Sequence, residues 1–375
     1  MTPAFRHTLL LCLLFPSIGV TLPFLPAFLA DRGLDPQQVS VVLAIAALTR
    51  LICGPPAGRL ADRGLGARRV LLVGCLVAAA TGLLYGAVSG FALLLLVAVL
   101  NAVPSGSLAP LAETVTIQGS RRGAGFDYGR VRGIGSVSFI LASAGAGWAV
   151  GAFSTEVIPY LYAVLLLGAA WAAWLLPRDE HETAGRGAVS LLAALRFPGL
   201  ARVILTSGLI QGSHAVFYTF SAIHWQAAGI SPFVVGLLWA TAVGAEVCLF
   251  LFGKGLVERL GPRRLAMAAA GLAALRWGVF AETVSVPALF LANMLHAASF
   301  GMMHLAAMRL VFALAPPGQA STAQTLHMAL GPGLFIGLMT FASGPLYAAF
   351  DGGAWWFAAG MAALALPVAA GLARR

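Results

Sequence analysis

The chain has 375 residues, 60% of them hydrophobic and 10% charged, with a mean hydropathy of +0.90. A soluble domain carries about 25% charged residues, so this composition excludes one and leaves a polytopic membrane protein. In that setting a net charge of +10 marks basic loops on one side of a bilayer rather than a nucleic-acid partner. Lipid admits only helices or closed barrels. The apolar runs here are continuous over roughly 20 residues, without the alternation of a barrel strand, and so they predict helices.

In chain order, segments of spanning length fall at 7–30, 38–58, 70–88, 91–114, 130–152 and 157–176. The first has Arg6 before it, as a signal peptide would, but Pro23 and Pro26 interrupt it and many similar segments follow, which makes it the first span. A polar stretch runs from Pro177 to Ser190, and six more segments follow at 201–228, 233–252, 264–282, 286–313, 321–348 and 353–373. The expectation is an all-α membrane protein of twelve transmembrane helices in two pseudo-symmetric halves. Residues 1–176 form the N-terminal six-helix bundle, 177–200 a cytoplasmic linker and 201–375 the C-terminal six-helix bundle. Cys12, Cys53, Cys75 and Cys248 lie inside apolar segments at unrelated spacings, which fits neither a disulfide framework nor a metal site.

Charge placement orients these spans. The odd-numbered connections hold Asp31, Arg32, Asp35, Glu156, Glu282 and Asp351, while the termini and even-numbered connections hold 19 cations. By the positive-inside rule both termini and the central linker are cytoplasmic. Two of the basic connections are copies of one another: GRLADRGLGARR, from Gly58 to Arg69, and KGLVERLGPRR, from Lys254 to Arg264, with Arg68-Arg69 and Arg263-Arg264 lying 195 positions apart. A duplicated loop implies a duplicated membrane unit, as in many transporters.

The G-x-L-x-D-R-x-G-x-R-R pattern after the second span resembles the major facilitator superfamily, with one extra residue between Arg63 and Gly66. The second copy is weaker, with Lys254 for the first Gly and Glu258 for the Asp. The run QGSHAVFYTFSAIHWQAAGIS (Gln211 to Ser231), TRLICGPPAGRLADR, AEV at 245–247, ALRW at 274–277 and LHAASFGMMHLAAMR (Leu295 to Arg309) resemble the phenylpropionic acid permeases. These are similar in turn to lactose permease and the nucleoside–proton symporters. DYGRVRGIGS (Asp127 to Ser136) resembles the start of the fifth helix of lactose permease. The resemblance implies proton-coupled uptake by alternating access, with the proton as coupling ion and no other cofactor. One departure stands out. Three positions after the tenth-helix His, where lactose permease has an acid, this chain has Ser299.

Ionisable groups inside spans are costly to insert and are functional candidates by default. Glu246, Arg276 and His296 lie about 13, 12 and 10 residues into the eighth, ninth and tenth spans. At 1.5 Å per residue that is roughly 15–20 Å deep for each, so the three can meet near mid-membrane. They read as a proton-coupling set, in which substrate or Arg276 shifts the protonation of Glu246, or as a structural Glu–Arg pair fastening two helices. His214, with Gln211 and Tyr218 nearby, suits a small aromatic or polar solute; the bland reading is a His satisfied by a backbone carbonyl. His296 and His304, eight residues apart, lie about 80° apart around a helix and cannot both point at one ligand. Arg50 reads as a dock for a substrate carboxylate or as bonded to an acid or helix carbonyl. Glu113 and Arg132 flank the turn between the fourth and fifth spans; the resemblance to lactose permease implies substrate contact, and their place near the cytoplasmic ends suits a salt-bridged loop. Arg309 snorkels to the inner surface.

The loop residues Gly58, Asp62, Arg63, Arg68, Arg69, Glu258, Arg259, Arg263 and Arg264 read as a gate. Asp62 caps a helix or pairs with an Arg, and Gly58 lets helices approach closely. The fifth span lacks the G-P-x-x-G-G pattern of the superfamily's drug antiporters, which favours uptake. No phosphate loop, zinc signature or nucleophile–base motif is present, so an enzyme is not expected. The expected protein is a bacterial inner-membrane importer of an aromatic carboxylate with a proton, alternatively of a sugar or nucleoside, or an efflux transporter. Its expected partners are a small-molecule substrate and the lipid bilayer, with no nucleic acid and a monomeric state.

Overall fold

A computed structural model describes residues 1–61, 65–121, 126–177, 199–315 and 319–373. Among the described residues there is no strand. Among those same residues, ten helices are long and apolar enough to cross a membrane. The contacts divide the chain into two compact units, Met1–Gly185 with Gly229–Ala240, and Arg186–Ala228 with Thr241–Arg375.

Unit 1 contains α1 (Pro3–Asp31), α2 (Pro36–Leu60), α3 (Ala67–Ala87), α4 (Phe91–Ser105), α5 (Leu108–Arg121), α6 (Tyr128–Ala152) and α7 (Val157–Leu175). Helix α1 packs on α6 and α7, α3 on α7, and α2 on α4. Leu10, Leu14 and Phe15 of α1, Leu71 and Cys75 of α3, and Leu166 and Ala170 of α7 bury one shared core. The expected fourth span is two helices, because the chain turns at Gly106-Ser107 just after Pro104, whose ring leaves no N–H for the helix ladder. Arg32 knits the far end: it pairs with Glu156 at 2.5 Å and donates to the carbonyls of Gly86 and Val88.

The second unit holds α8 (Leu200–Gly212), α9 (Ala215–Ala227), most of α10 (Pro232–Phe252), α11 (Lys254–Glu282), α12 (Val286–Met294), α13 (Met303–Leu314), α14 (Ala320–Met328), α15 (Leu334–Phe350) and α16 (Ala354–Ala370). Here α11 and α8 pack on α16, and α9 on α15. The expected seventh span is broken at Ser213-His214 into α8 and α9. Two wide π-type turns, Ala297–Met302 and Ala329–Gly333, interrupt the tenth and eleventh expected spans; the second contains Pro332. Such turns insert an extra residue and re-aim side chains.

The duplication visible in the loops extends to backbone conformation. Gly66 before Arg68-Arg69 has φ 78°, and Gly261 before Arg263-Arg264 has φ 69°. Both occupy the left-handed region that favours glycine, and at Gly261 this kinks α11. A second pair lies 196 positions apart. Gly33 and Gly229 both have φ 83°, and each is followed two residues later by a side chain that caps the next helix. Asp35 accepts from the Gln38 N–H at 2.8 Å, and Ser231 from the Val234 N–H at 3.4 Å. A proline at the first helical position completes both, where its missing N–H costs nothing.

Of the loop residues expected to gate, Asp62 and Arg63 lie outside the described residues. Arg68 donates to the Ala173 carbonyl at 3.2 Å and to that of Trp174, so it fastens the C-terminal end of α7, where a cation is favoured. Arg202 does the same beyond α16, donating to the Gly371 carbonyl at 2.5 Å. Arg69, Glu258, Arg259 and Arg264 are exposed and Arg263 is half-buried. The close-approach reading of Gly58 is corrected here, since a Cβ added there meets nothing within 4 Å.

Candidate functional site

Unit 2 buries a connected set of polar side chains. Arg276, on α11, is fully buried, as are His214, Asn293 and Ser299, while His296 is 5% exposed. Asn293, His296 and Ser299 recur every third residue, so successive turns of one helical stretch present all three to Arg276. Arg276 Nη2 donates to Asn293 Oδ1 at 3.1 Å, and Nη1 reaches His296 Nδ1 at 2.9 Å and Ser299 Oγ at 3.3 Å. Asn293 is itself fixed by donating to the Leu289 carbonyl at 2.9 Å.

Donor–acceptor chemistry then fixes the tautomers. A guanidinium only donates, so His296 Nδ1 accepts and the ring proton sits on Nε2. That Nε2 faces Glu246 Oε2 at 3.5 Å. His214 Nδ1 lies 3.0 Å from the Ile210 carbonyl, which only accepts, so Nδ1 donates; in the neutral ring Nε2, 3.2 Å from Ser299 Oγ, then takes the hydroxyl proton. The result is a directed chain from Glu246 through His296, Arg276 and Ser299 to His214.

Aromatic rings wall this chain. The Arg276 guanidinium carbon is 4.5 Å from the Trp277 ring centroid, 4.6 Å from that of Phe217 and 5.3 Å from that of Phe280. Stacking of this kind compensates a desolvated cation. Trp277 Nε1 donates to Ser213 Oγ at 2.9 Å and the Phe300 ring stacks on His296. Gln211 Nε2 donates to the Phe300 carbonyl at 3.4 Å, and the Tyr218 ring lies 5.8 Å from that of His214. Among the described residues, two buried polar atoms here have no hydrogen-bond partner, Arg276 Nε and Gln211 Oε1.

The structure thus brings together six of the sequence candidates: Glu246, Arg276, His296, His214, Gln211 and Tyr218. The expected Glu–Arg meeting is indirect, with His296 between the two. Both readings of His214 have a counterpart, since one ring nitrogen takes a backbone carbonyl and the other joins the chain. Arg50, Glu113 and Arg132 belong to unit 1. Arg50 is exposed and donates to the Ala46 carbonyl of its own helix at 3.3 Å. Glu113 and Arg132 pair at 2.8 Å, with Arg132 also over the Phe15 ring at 4.4 Å. Of the remaining histidines, His304 packs by Phe250, and His224 meets Asp351 at 3.2 Å and Tyr347 Oη at 3.1 Å. Arg309, read as snorkelling, donates to the Val257 carbonyl at 3.1 Å. Asn293 and the linking role of Ser299 were missed; an amide inside an apolar segment, three residues before His296, was the available signal.

Unit 1 holds the same positions with different side chains. With the loop offsets of 195 and 196, Arg276 corresponds to Thr81, His296 to Asn101 and Glu246 to Arg50. Asn101 Nδ2 donates to Thr81 Oγ1 at 3.0 Å, as His296 bonds Arg276. Tyr162 Oη donates to Asn101 Oδ1 at 3.2 Å.

A buried guanidinium and imidazole beside a half-buried acid in a helical membrane unit fit a transporter, and a family model described as "MFS_1 like family" matches residues 5–359. The chain belongs to that family. A probable 3-phenylpropionic acid transporter of Escherichia coli (strain K12) is 33% identical over 366 residues, covering 94% of this chain and 93% of that one. A maltose permease of Geobacillus stearothermophilus is 26% identical over 340 residues, covering 89% and 85%. Among solved structures, the nucleoside transporter NupG matches with a TM-score of 0.84 at 17% identity, over 98% of each chain. A POT family peptide transporter matches with a TM-score of 0.73 at 14% identity, over 98% of this chain and 96% of that one. At such identities the two structures show the fold alone. The protein is a multi-pass membrane transporter of the major facilitator superfamily, and its relatives are transporters rather than enzymes.

Proposed function

We propose that this transporter imports an aromatic monocarboxylate together with a proton, by alternating access in a bacterial inner membrane. Twelve crossings would be arranged as two six-helix halves, 1–176 and 201–375, joined by a cytoplasmic linker at 177–200, with both termini cytoplasmic. Glu246 is the proton carrier in this reading, and His296 conveys its charge state to Arg276. The observation that carries it is the buried chain in which His296 Nε2 faces Glu246 while Nδ1 takes the Arg276 proton donor. Packing alone gives no reason to bury such charges, because desolvation offsets most of their attraction. The full-length similarity to a probable 3-phenylpropionic acid transporter supports the substrate class. The similarity to a maltose permease supports a second reading, a neutral sugar or nucleoside as cargo.

The test is uptake into membrane vesicles under an imposed inward proton gradient, with 3-phenylpropionate, maltose and uridine as separate probes. Accumulation of the acid above vesicles lacking the protein is expected, and Glu246→Gln abolishes it while sparing exchange. Uptake indifferent to the gradient removes proton coupling, and accumulation of maltose or uridine alone moves the assignment to the second reading.

A further inference from the structure

We propose that the substrate's own carboxylate is the counter-ion of Arg276, so that one proton on Glu246 and one carboxylate at Arg276 cross together without net charge. This rests on the import reading above and adds the binding group and the charge stoichiometry.

The argument begins with what Arg276 lacks. Its guanidinium is fully buried, and its hydrogen-bond partners are an imidazole, a hydroxyl and an amide, none of them anionic. Among the described residues no ion pair joins it to a carboxylate. A guanidinium stays protonated, and a buried cation with no anion in direct contact is costly. Its Nε–H has no acceptor among the described residues. Carboxylates are matched to the fork geometry of a guanidinium, so one open N–H on an otherwise ordered Arg is a site for such a group.

Charge accounting gives the coupling. The titratable groups around Arg276 are His214, Tyr218 and His296, with Glu246 beyond His296. His296 and His214 are neutral in the hydrogen-bond pattern above, and a phenol is neutral near pH 7. With Glu246 ionised, the acid and Arg276 cancel. With Glu246 protonated, the site carries one positive charge, and a ligand carboxylate restores neutrality. Proton and anion each favour the other's binding, and the effect is reciprocal. The proton arrives on Glu246 from one side of the membrane and leaves from it to the other, while the carboxylate enters and leaves as the anion. The rings of Phe217, Trp277 and Phe280 around the guanidinium suit an aromatic body on that carboxylate. A neutral sugar supplies no charge and gains nothing from the protonated state.

The purified full chain in liposomes tests this with labelled 3-phenylpropionate, counted above protein-free liposomes. A pH step of one unit, inside alkaline, with the membrane potential clamped at zero, is expected to raise the initial rate of entry above that of protein-free liposomes, where the undissociated acid reaches the same roughly tenfold end point only slowly. A membrane potential alone, at equal pH, is expected to drive no accumulation. If the potential alone drives accumulation, net charge moves and the charge pairing is wrong, although proton-coupled import stands. If neither gradient has an effect, import itself fails. Binding supplies a second reading that does not depend on flux. For 3-phenylpropionate, Kd should weaken by up to about tenfold per unit as pH rises from 6 to 8, and Glu246→Gln should abolish that dependence. Arg276→Gln should weaken the acid at least tenfold and weaken 3-phenylpropionamide much less. A wild-type Kd that ignores pH overturns the proposal even if the Arg276 variant fails to fold.

Discussion

The two units place hydrogen-bonding side chains at matching positions and fill them with opposite chemistry. In unit 1, Asn101 bonds Thr81 and receives Tyr162, all neutral groups that fasten α4, α3 and α7 together. In unit 2, His296 bonds Arg276 and faces Glu246, so the same helical crossing holds charge. A neutral interhelical hydrogen bond in a membrane averages about 0.6 kcal/mol, a modest and inexpensive fastening. A buried charged set has a much larger desolvation penalty. At positions related by the loop offsets, one unit carries a neutral hydrogen-bonded strut and the other a charged set.

Swapping residues between the units is the strongest way to break this comparison. Arg276→Thr gives unit 2 the side chain of unit 1, and uptake in the liposome assay should fall by about 100-fold or more, in line with losing a charged positioning group. Retained uptake would mean that the charge is ornamental. Asn101→Ala in unit 1 should cost about 1 kcal/mol, read as a fall of a few degrees in thermal stability, while the pH dependence of uptake stays as in the wild type. A shifted pH profile would show that unit 1 shares in the coupling. Two glycines separate backbone strain from open space. Gly261→Ala, at φ 69°, should destabilise by about 1–2 kcal/mol. Gly58→Ala, with open space around it, should stay within about 0.5 kcal/mol, and thermal melts in the same detergent compare the two.

Much of this was legible in the chain. The charge bias, the apolar segments and the copied basic loops were read without coordinates, and Glu246, Arg276 and His296 were placed at one depth by counting. The counting worked because helical rise is constant. It failed where the helix is interrupted, at Ser213-His214 and at the wide turn Ala297–Met302, because those breaks depend on packing more than on the identity of the residue. Gly58 was overread for a related reason: a glycine in a loop motif says only that no side chain is there, not that anything is close. Arg50 and the Glu113–Arg132 pair each had a substrate reading and a structural one, and their contacts, to a helix carbonyl and to each other, are those of the structural reading.

Hydropathy, charge bias and spacing are properties of the chain alone, and they sufficed for a helical membrane protein with two copied basic loops and a few ionisable groups inside apolar segments. The tertiary structure decided that His296 stands between Glu246 and Arg276, that Ser299 links Arg276 to His214, and that Arg276 lies among neutral partners and aromatic rings. Those facts depend on side-chain direction and hydrogen-bond polarity between helices distant in sequence, and no one-dimensional pattern encodes them.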